Sequence, residues 1–127
     1  MAKRKETSTN SLNRQMLNDY CGMIYAIELI GGRWKLLILY NLEKGKLRFG
    51  ELKKLTPNIT ERMLTLQLRE LEKDLLVKRT VYAEVPPRVE YELTLSALQL
   101  APIWQCLEKW GLDHREIADK VQHRTVT

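Results

Sequence analysis

Arg62, Thr65 and Arg69 are spaced so that one side of a helix would carry them together. Guanidinium groups so placed suit phosphates and guanine edges, and a threonine offers a methyl or a hydroxyl to a base or a phosphate. The opposite side of the same segment is apolar: Leu64, Leu68, Leu71 and Leu75 recur four, three and four residues apart, a stripe suited to a core. Thr60 is a good N-cap, so the helix is expected from Glu61 to about Leu75. Two readings follow: the second, displayed helix of a helix-turn-helix, or a solvated amphipathic helix in a three-helix bundle.

Catalytic chemistry has little to work with. The chain contains no Gly-rich phosphate loop and no His-Glu-x-x-His, and His114 and His123 stand outside any acid–base constellation. Cys21 and Cys106 are too far apart for a zinc spacing or a disulfide scaffold. No enzyme activity, catalytic residue, metal or cofactor is expected.

The elements that must position the basic helix can be read along the chain. Its 127 residues, 44% apolar and 29% charged, suit one domain. The longest apolar run, Leu36 to Tyr40, is far too short to span a membrane. Residues 1–19 are polar and read as a flexible basic tail without the apolar stretch of a signal peptide, which points to a cytoplasmic protein. Residues 20–122 form the folded domain in this reading. A net charge of +5 suits nucleic acid as partner, and the middle of the chain carries the basic surface, with Lys44, Lys46, Arg48, Lys53 and Lys54 close together.

A first helix over about Met23 to Ile30 ends at Gly31-Gly32, and a second, from Trp34 to Leu42, is apolar nearly all round and therefore central. "KLRF" suits no more than a one-strand bridge, and "FGELKKL" a two-turn helix ending before Pro57. After the basic helix, "VKRTVYA" and "VEYELT" are strand-like and joined through "EVPPR". A hairpin directly after the displayed helix is a wing. Two prolines stiffen its tip, and Arg88 is expected to be held outward, where a narrow minor groove attracts arginine; the alternative is a solvated arginine on an edge loop. A long helical pattern at about 95–121 has more apolar surface than one small core covers. Ile103, Trp104, Leu107 and Trp110 are accordingly expected at a dimer interface, with packing inside one chain as the alternative. The fold class is mainly α with a small β-hairpin, a winged helix-turn-helix.

"IGGRWKLLILYNL", "LRFGELKKLTPNITERMLTLQLRELEKDLLVKR" and "PPRVEYELT", in this order, resemble the HxlR-type transcription regulators, relatives of the MarR proteins. The likeness runs from Cys21 to about Trp110. It implies a homodimer on a palindromic DNA operator, acting as a bacterial repressor, with N- and C-terminal helices joining the subunits. It places Thr60, Arg62, Thr65 and Arg69 on the recognition helix. Arg62 and Thr65 are expected at base edges; Arg69, Lys46, Lys53 and Lys54 at phosphates. Arg48 is expected either at DNA or bracing the fold through Glu51 or a carbonyl. Cys21 matches a cysteine that thiol-sensing members place ahead of the first helix, and Cys106 is the candidate for pairing with it across the dimer; the alternative is an inert thiol. The chain departs from the family in having Gly22 where a proline is usual, Leu75 where a glycine is usual, and no glycine near Ala97. Control by a small apolar inducer, and a winged helix turned protein-interaction module, are the other readings.

Overall fold

The computed structural model describes residues 9–126. Helices α1 (Thr9–Tyr20), α2 (Gly22–Ile30) and α3 (Lys35–Asn41) are followed by β1 (Leu47–Arg48), α4 (Phe49–Leu55) and α5 (Glu61–Lys73). The wing strands β2 (Val77–Tyr82) and β3 (Arg88–Leu93) come next, then the single turn α6 (Leu95–Leu98) and the long α7 (Ala101–Val126). The sheet is antiparallel in the order β1-β3-β2, with Leu47 opposite Tyr91 and Val77 opposite Leu93. No described helix is long and apolar enough to cross a membrane.

The core forms where apolar faces of several elements converge: Ile38, Leu39 and Leu42 from the α3 region, Leu52 of α4, Leu64, Leu68 and Leu71 of α5, and Leu76, Val77 and Leu93 at the wing base. Of helix α3 itself only Ile38 and Leu39 are buried in this core, whereas Leu36 and Leu37 are half-buried and Tyr40 is exposed, so its all-round apolar pattern is covered on one side only. The turn into α3 needs its two glycines. A Cβ at Gly31 would run into the carbonyl oxygen of Ile27, and Gly32 takes φ +98°, a region open to glycine at little cost. Thr56, the buried polar side chain of this core, is satisfied by donating to the Leu52 carbonyl at 2.7 Å.

Three other expectations need correction. Residues 9–19, read as tail, belong to α1, which runs back along α2 with Arg14 and Glu28 bridged at 3.4 Å; residues 1–8 lie outside the described residues. The expected helix at about 95–121 is two elements. Thr94 caps α6 by accepting from the Ala97 N–H, and α7 begins afresh at Ala101 with Pro102 in its first turn, where a missing N–H costs nothing. It then continues through Gly111 to Val126, about 40 Å in all.

Leu75 is the third. Helix α5 ends at Lys73, so Leu75 leaves the buried stripe and is 73% exposed. It takes φ +63°, while the Leu76 N–H donates to the Leu71 carbonyl and the Leu75 N–H to that of Glu72. This is a Schellman ending with leucine at the position glycine prefers. The left-handed turn is therefore kept without a glycine. Left-handed backbone costs a non-glycine residue about 1–2 kcal/mol, and glycine gives back about 0.5–1 kcal/mol in unfolded-state entropy. Leu75→Gly is expected to stabilise the fold by about 0.5–1 kcal/mol, read as a higher urea midpoint; a lower midpoint would show that leucine's contacts outweigh its backbone cost.

Candidate nucleic-acid interface

Thr60 is the N-cap of α5: its Oγ1 accepts from the Met63 N–H at 3.0 Å and its carbonyl from the Leu64 N–H. With Leu64, Leu68 and Leu71 buried, the rotation of the helix is set, and Arg62, Leu66 and Arg69 are exposed on its outer side. Glu61, Arg62, Thr65, Leu66 and Arg69 line one shallow open depression on that face. Thr65 is half-buried, and its hydroxyl donates to the Glu61 carbonyl at 2.8 Å. Its proton is thus engaged, which leaves the methyl and the acceptor lone pairs of the oxygen as the groups it can offer.

The structure also shows what holds the other expected residues. Lys53 and Lys54 lie in the last turn of α4, where cations complement the helix C-terminus. Arg48 is the N-cap residue of α4; its backbone N–H donates to Glu51 Oε1 at 2.9 Å while its side chain stays exposed. The bracing role thus falls to the Arg48 backbone and the Glu51 carboxylate. Lys46 pairs with Glu92 of β3 at 3.3 Å. The hydrogen bond to Glu92 and its charge, with Tyr82 adding, hold the Lys46 ammonium above its ordinary pKa. The pair is therefore intact at neutral pH, and on the alkaline side it is lost as pH rises through that raised value.

Arg88 departs from expectation. It opens β3 at the base of the loop and is not held out at the tip. Its guanidinium lies 4.1 Å from the Tyr82 ring centroid, Nη2 is 3.2 Å from Glu84 Oε1, and Nε is buried without a partner. The exposed tip is Val85, Pro86 and Pro87, with a cis Val85–Pro86 bond. A cleft lined by Arg48, Phe49, Gly50 and residues 84–89 separates this loop from the start of α4.

Along α7 the expected dimer residues divide. Ile103, Leu107, Trp110, Ile117 and Val121 are exposed and share one stripe, being spaced by three, four or seven residues. Trp110 stacks on His114 with centroids 4.8 Å apart. Trp104, one residue out of phase, turns the other way. It is 3% exposed in the core, and its indole N–H donates to Glu43 Oε1 at 2.5 Å, beside the Gln105 amide at 3.1 Å. It belongs to the packing of α7 on the α3 side and not to the exposed stripe. Leu12 and Met16 of α1 and Met23, Tyr25 and Ile27 of α2 are exposed as well. Cys21 is the half-buried N-cap residue of α2, and Cys106 is exposed on α7. Both are free thiols.

Sequence reasoning missed Arg79 and Tyr91, which are opposite each other on β2 and β3. Strand alternation was visible there, but which face of the hairpin meets α5 is decided by tertiary packing.

The order of elements from α3 to β3 is a helix-turn-helix followed by a wing, and the family model described as HxlR-like helix-turn-helix matches residues 29–119. The chain belongs to the HxlR family. Among its relatives, the HTH-type transcriptional regulator YdeP of Bacillus subtilis (strain 168) is 44% identical over 117 residues, covering 87% of this chain and 91% of YdeP. The solved structure of the redox regulator HypR in its reduced form superposes with a TM-score of 0.75 at 44% identity, covering 79% of this chain and 99% of HypR. The reduced form of the transcriptional regulator YodB from B. subtilis gives a TM-score of 0.63 at 36% identity, covering 71% and 89%. This HxlR protein is thus a transcriptional regulator with a winged helix-turn-helix domain of the MarR-like kind.

Proposed function

We propose that this HxlR protein is a repressor that binds a palindromic DNA operator as a homodimer, with α5 in the major groove. The observation that carries the proposal is the capped, core-anchored α5 with Arg62, Thr65 and Arg69 on its outer face. Arg62 and the Thr65 methyl read base edges, arginine at guanine and the methyl at thymine. Arg69, Lys53, Lys54 and the exposed Arg48 side chain contact phosphates, and so does Lys46 beside Glu92. Arg88 acts at the wing base when it exchanges Glu84 for DNA. The stripe of Ile103, Leu107 and Trp110 on α7, continued by exposed apolar residues of α1 and α2, pairs the subunits.

Cys21 is the proposed switch. Its support is the half-buried position at the start of α2, together with the likeness to HypR and YodB, of which HypR is a redox regulator solved in reduced and oxidised forms. Cys106, exposed on α7, is the partner thiol across the dimer. A second form of control is favoured by a mostly apolar groove of about 300 Å³ lined by Leu36, Leu37, Tyr40, Trp104 and Leu107, with Glu108 as its charged member, suited to a small apolar inducer.

Fluorescence anisotropy on duplex DNA from the region upstream of its own gene separates these readings. Selective binding is expected in the reduced protein, at least tenfold altered by a thiol oxidant and unaltered in Cys21→Ser. Selective binding that ignores oxidant contradicts the switch and points to the groove; absence of selective binding there contradicts autoregulation by this protein.

A further inference from the structure

Between α5 and the base of the wing lies a polar cleft of about 240 Å³, lined by Thr65, Leu68, Arg69, Glu72, Arg79 and Tyr91. Leu68 belongs to the core and forms its floor, while the two arginines approach from different elements, Arg69 from α5 and Arg79 from β2. Three other cations of this half of the molecule are neutralised internally: Lys35 by Glu70, Lys46 by Glu92 and Arg88 by Glu84. Among the described residues Arg69 and Arg79 form no ion pair, although Glu72 lines the same cleft. Two uncompensated guanidinium groups converging on one concavity, beside the half-buried Tyr91, make a seat for a tetrahedral oxyanion, because each can present a fork of N–H donors.

We infer that this cleft is a backbone-phosphate clamp in which Arg79 acts together with Arg69. The inference rests on the proposed placement of α5 in a DNA major groove. A wing reaching the neighbouring minor groove leaves one phosphate strand to pass between helix and hairpin, and the cleft lies there. Such a contact fixes the register of α5 without reading sequence. Glu72 limits its strength by placing a carboxylate near the phosphate.

The test is anisotropy across salt on two duplexes, the upstream region and a scrambled version of it, with wild type, Arg79→Gln, the Arg69→Gln/Arg79→Gln pair, and Glu72→Gln. Circular dichroism confirms folding of each, which the exposure of these side chains favours. With one copy of each side chain in either subunit of the dimer, Arg79→Gln is expected to lower the salt slope by about two and the pair by about four, weakening both duplexes by the same factor. Glu72→Gln is expected to tighten both. A wild type that binds with a steep salt slope while Arg79→Gln matches it overturns the clamp alone, as does a loss confined to one duplex. A wild type that binds neither duplex overturns the DNA reading and the clamp with it.

Discussion

Trp104→Ala is expected to lower folding stability by about 4 kcal/mol, in the range found when large aromatic side chains are removed from a core. Trp104 is 3% exposed and packs against the α3 side, and its N–H is held by Glu43. Truncation both opens a cavity and takes from the Glu43 carboxylate one of its two donors, leaving Gln105. Against a typical total of roughly 5–15 kcal/mol, that loss is large. Trp110, six residues along the same helix but 62% exposed, should behave differently. If it is an anchor of the dimer, Trp110→Ala costs about 2 kcal/mol of association, roughly a 30-fold weaker dimer, and leaves the core of each subunit intact. Urea unfolding at several protein concentrations and sedimentation velocity distinguish the two. A Trp110→Ala protein that dimerises like wild type would remove α7 from the interface.

Arg62→Ala is expected to relax sequence preference at one base pair per half-site, a loss of about 1–3 kcal/mol of discrimination. Arg62 is exposed in the first turn of α5, where the rotation set by Leu64, Leu68 and Leu71 aims it away from the core. Lys54→Ala, at the exposed end of α4, should weaken all duplexes alike and reduce the salt slope by about two, one contact in each subunit of the dimer. Competition titrations with single-base variants of the operator separate these patterns. Equal, sequence-blind losses from both variants would deny Arg62 its base contact.

Much of this architecture was legible because its signals are local. The leucine stripe of α5 follows the helical period, Thr60 supplies its own cap bond, and the alternation of β2 and β3 around "EVPPR" forms the expected wing. The likeness to the HxlR family rested on the same segments and is confirmed by the match over residues 29–119. What could not be read depends on relations between elements. Helix α1 has a mostly polar sequence and lies against α2, a contact no local pattern reports. Trp104 and Trp110 look alike in the chain, and only the rotation of α7 against α3 sends one inward and the other outward. Arg88 is drawn back by Glu84 and Tyr82, a local pairing hidden behind the stiffness of the two prolines between them. Leu75 kept the left-handed turn because the Schellman bonds and the Thr94 hydroxyl, which donates to the Leu75 carbonyl at 2.7 Å, hold the backbone there. Arg79 and Tyr91 became visible as a pair only once the hairpin was seated on α5.

The central claim is that two copies of α5 read one symmetric DNA site. Selection of the reduced protein's preferred sites from a pool of random duplexes tests it without assuming an operator. Enrichment of an inverted repeat whose half-sites lie about one helical turn, or a multiple of it, apart is the predicted result. Recovery of unenriched sequence, or of a single half-site without its inverted mate, would contradict it.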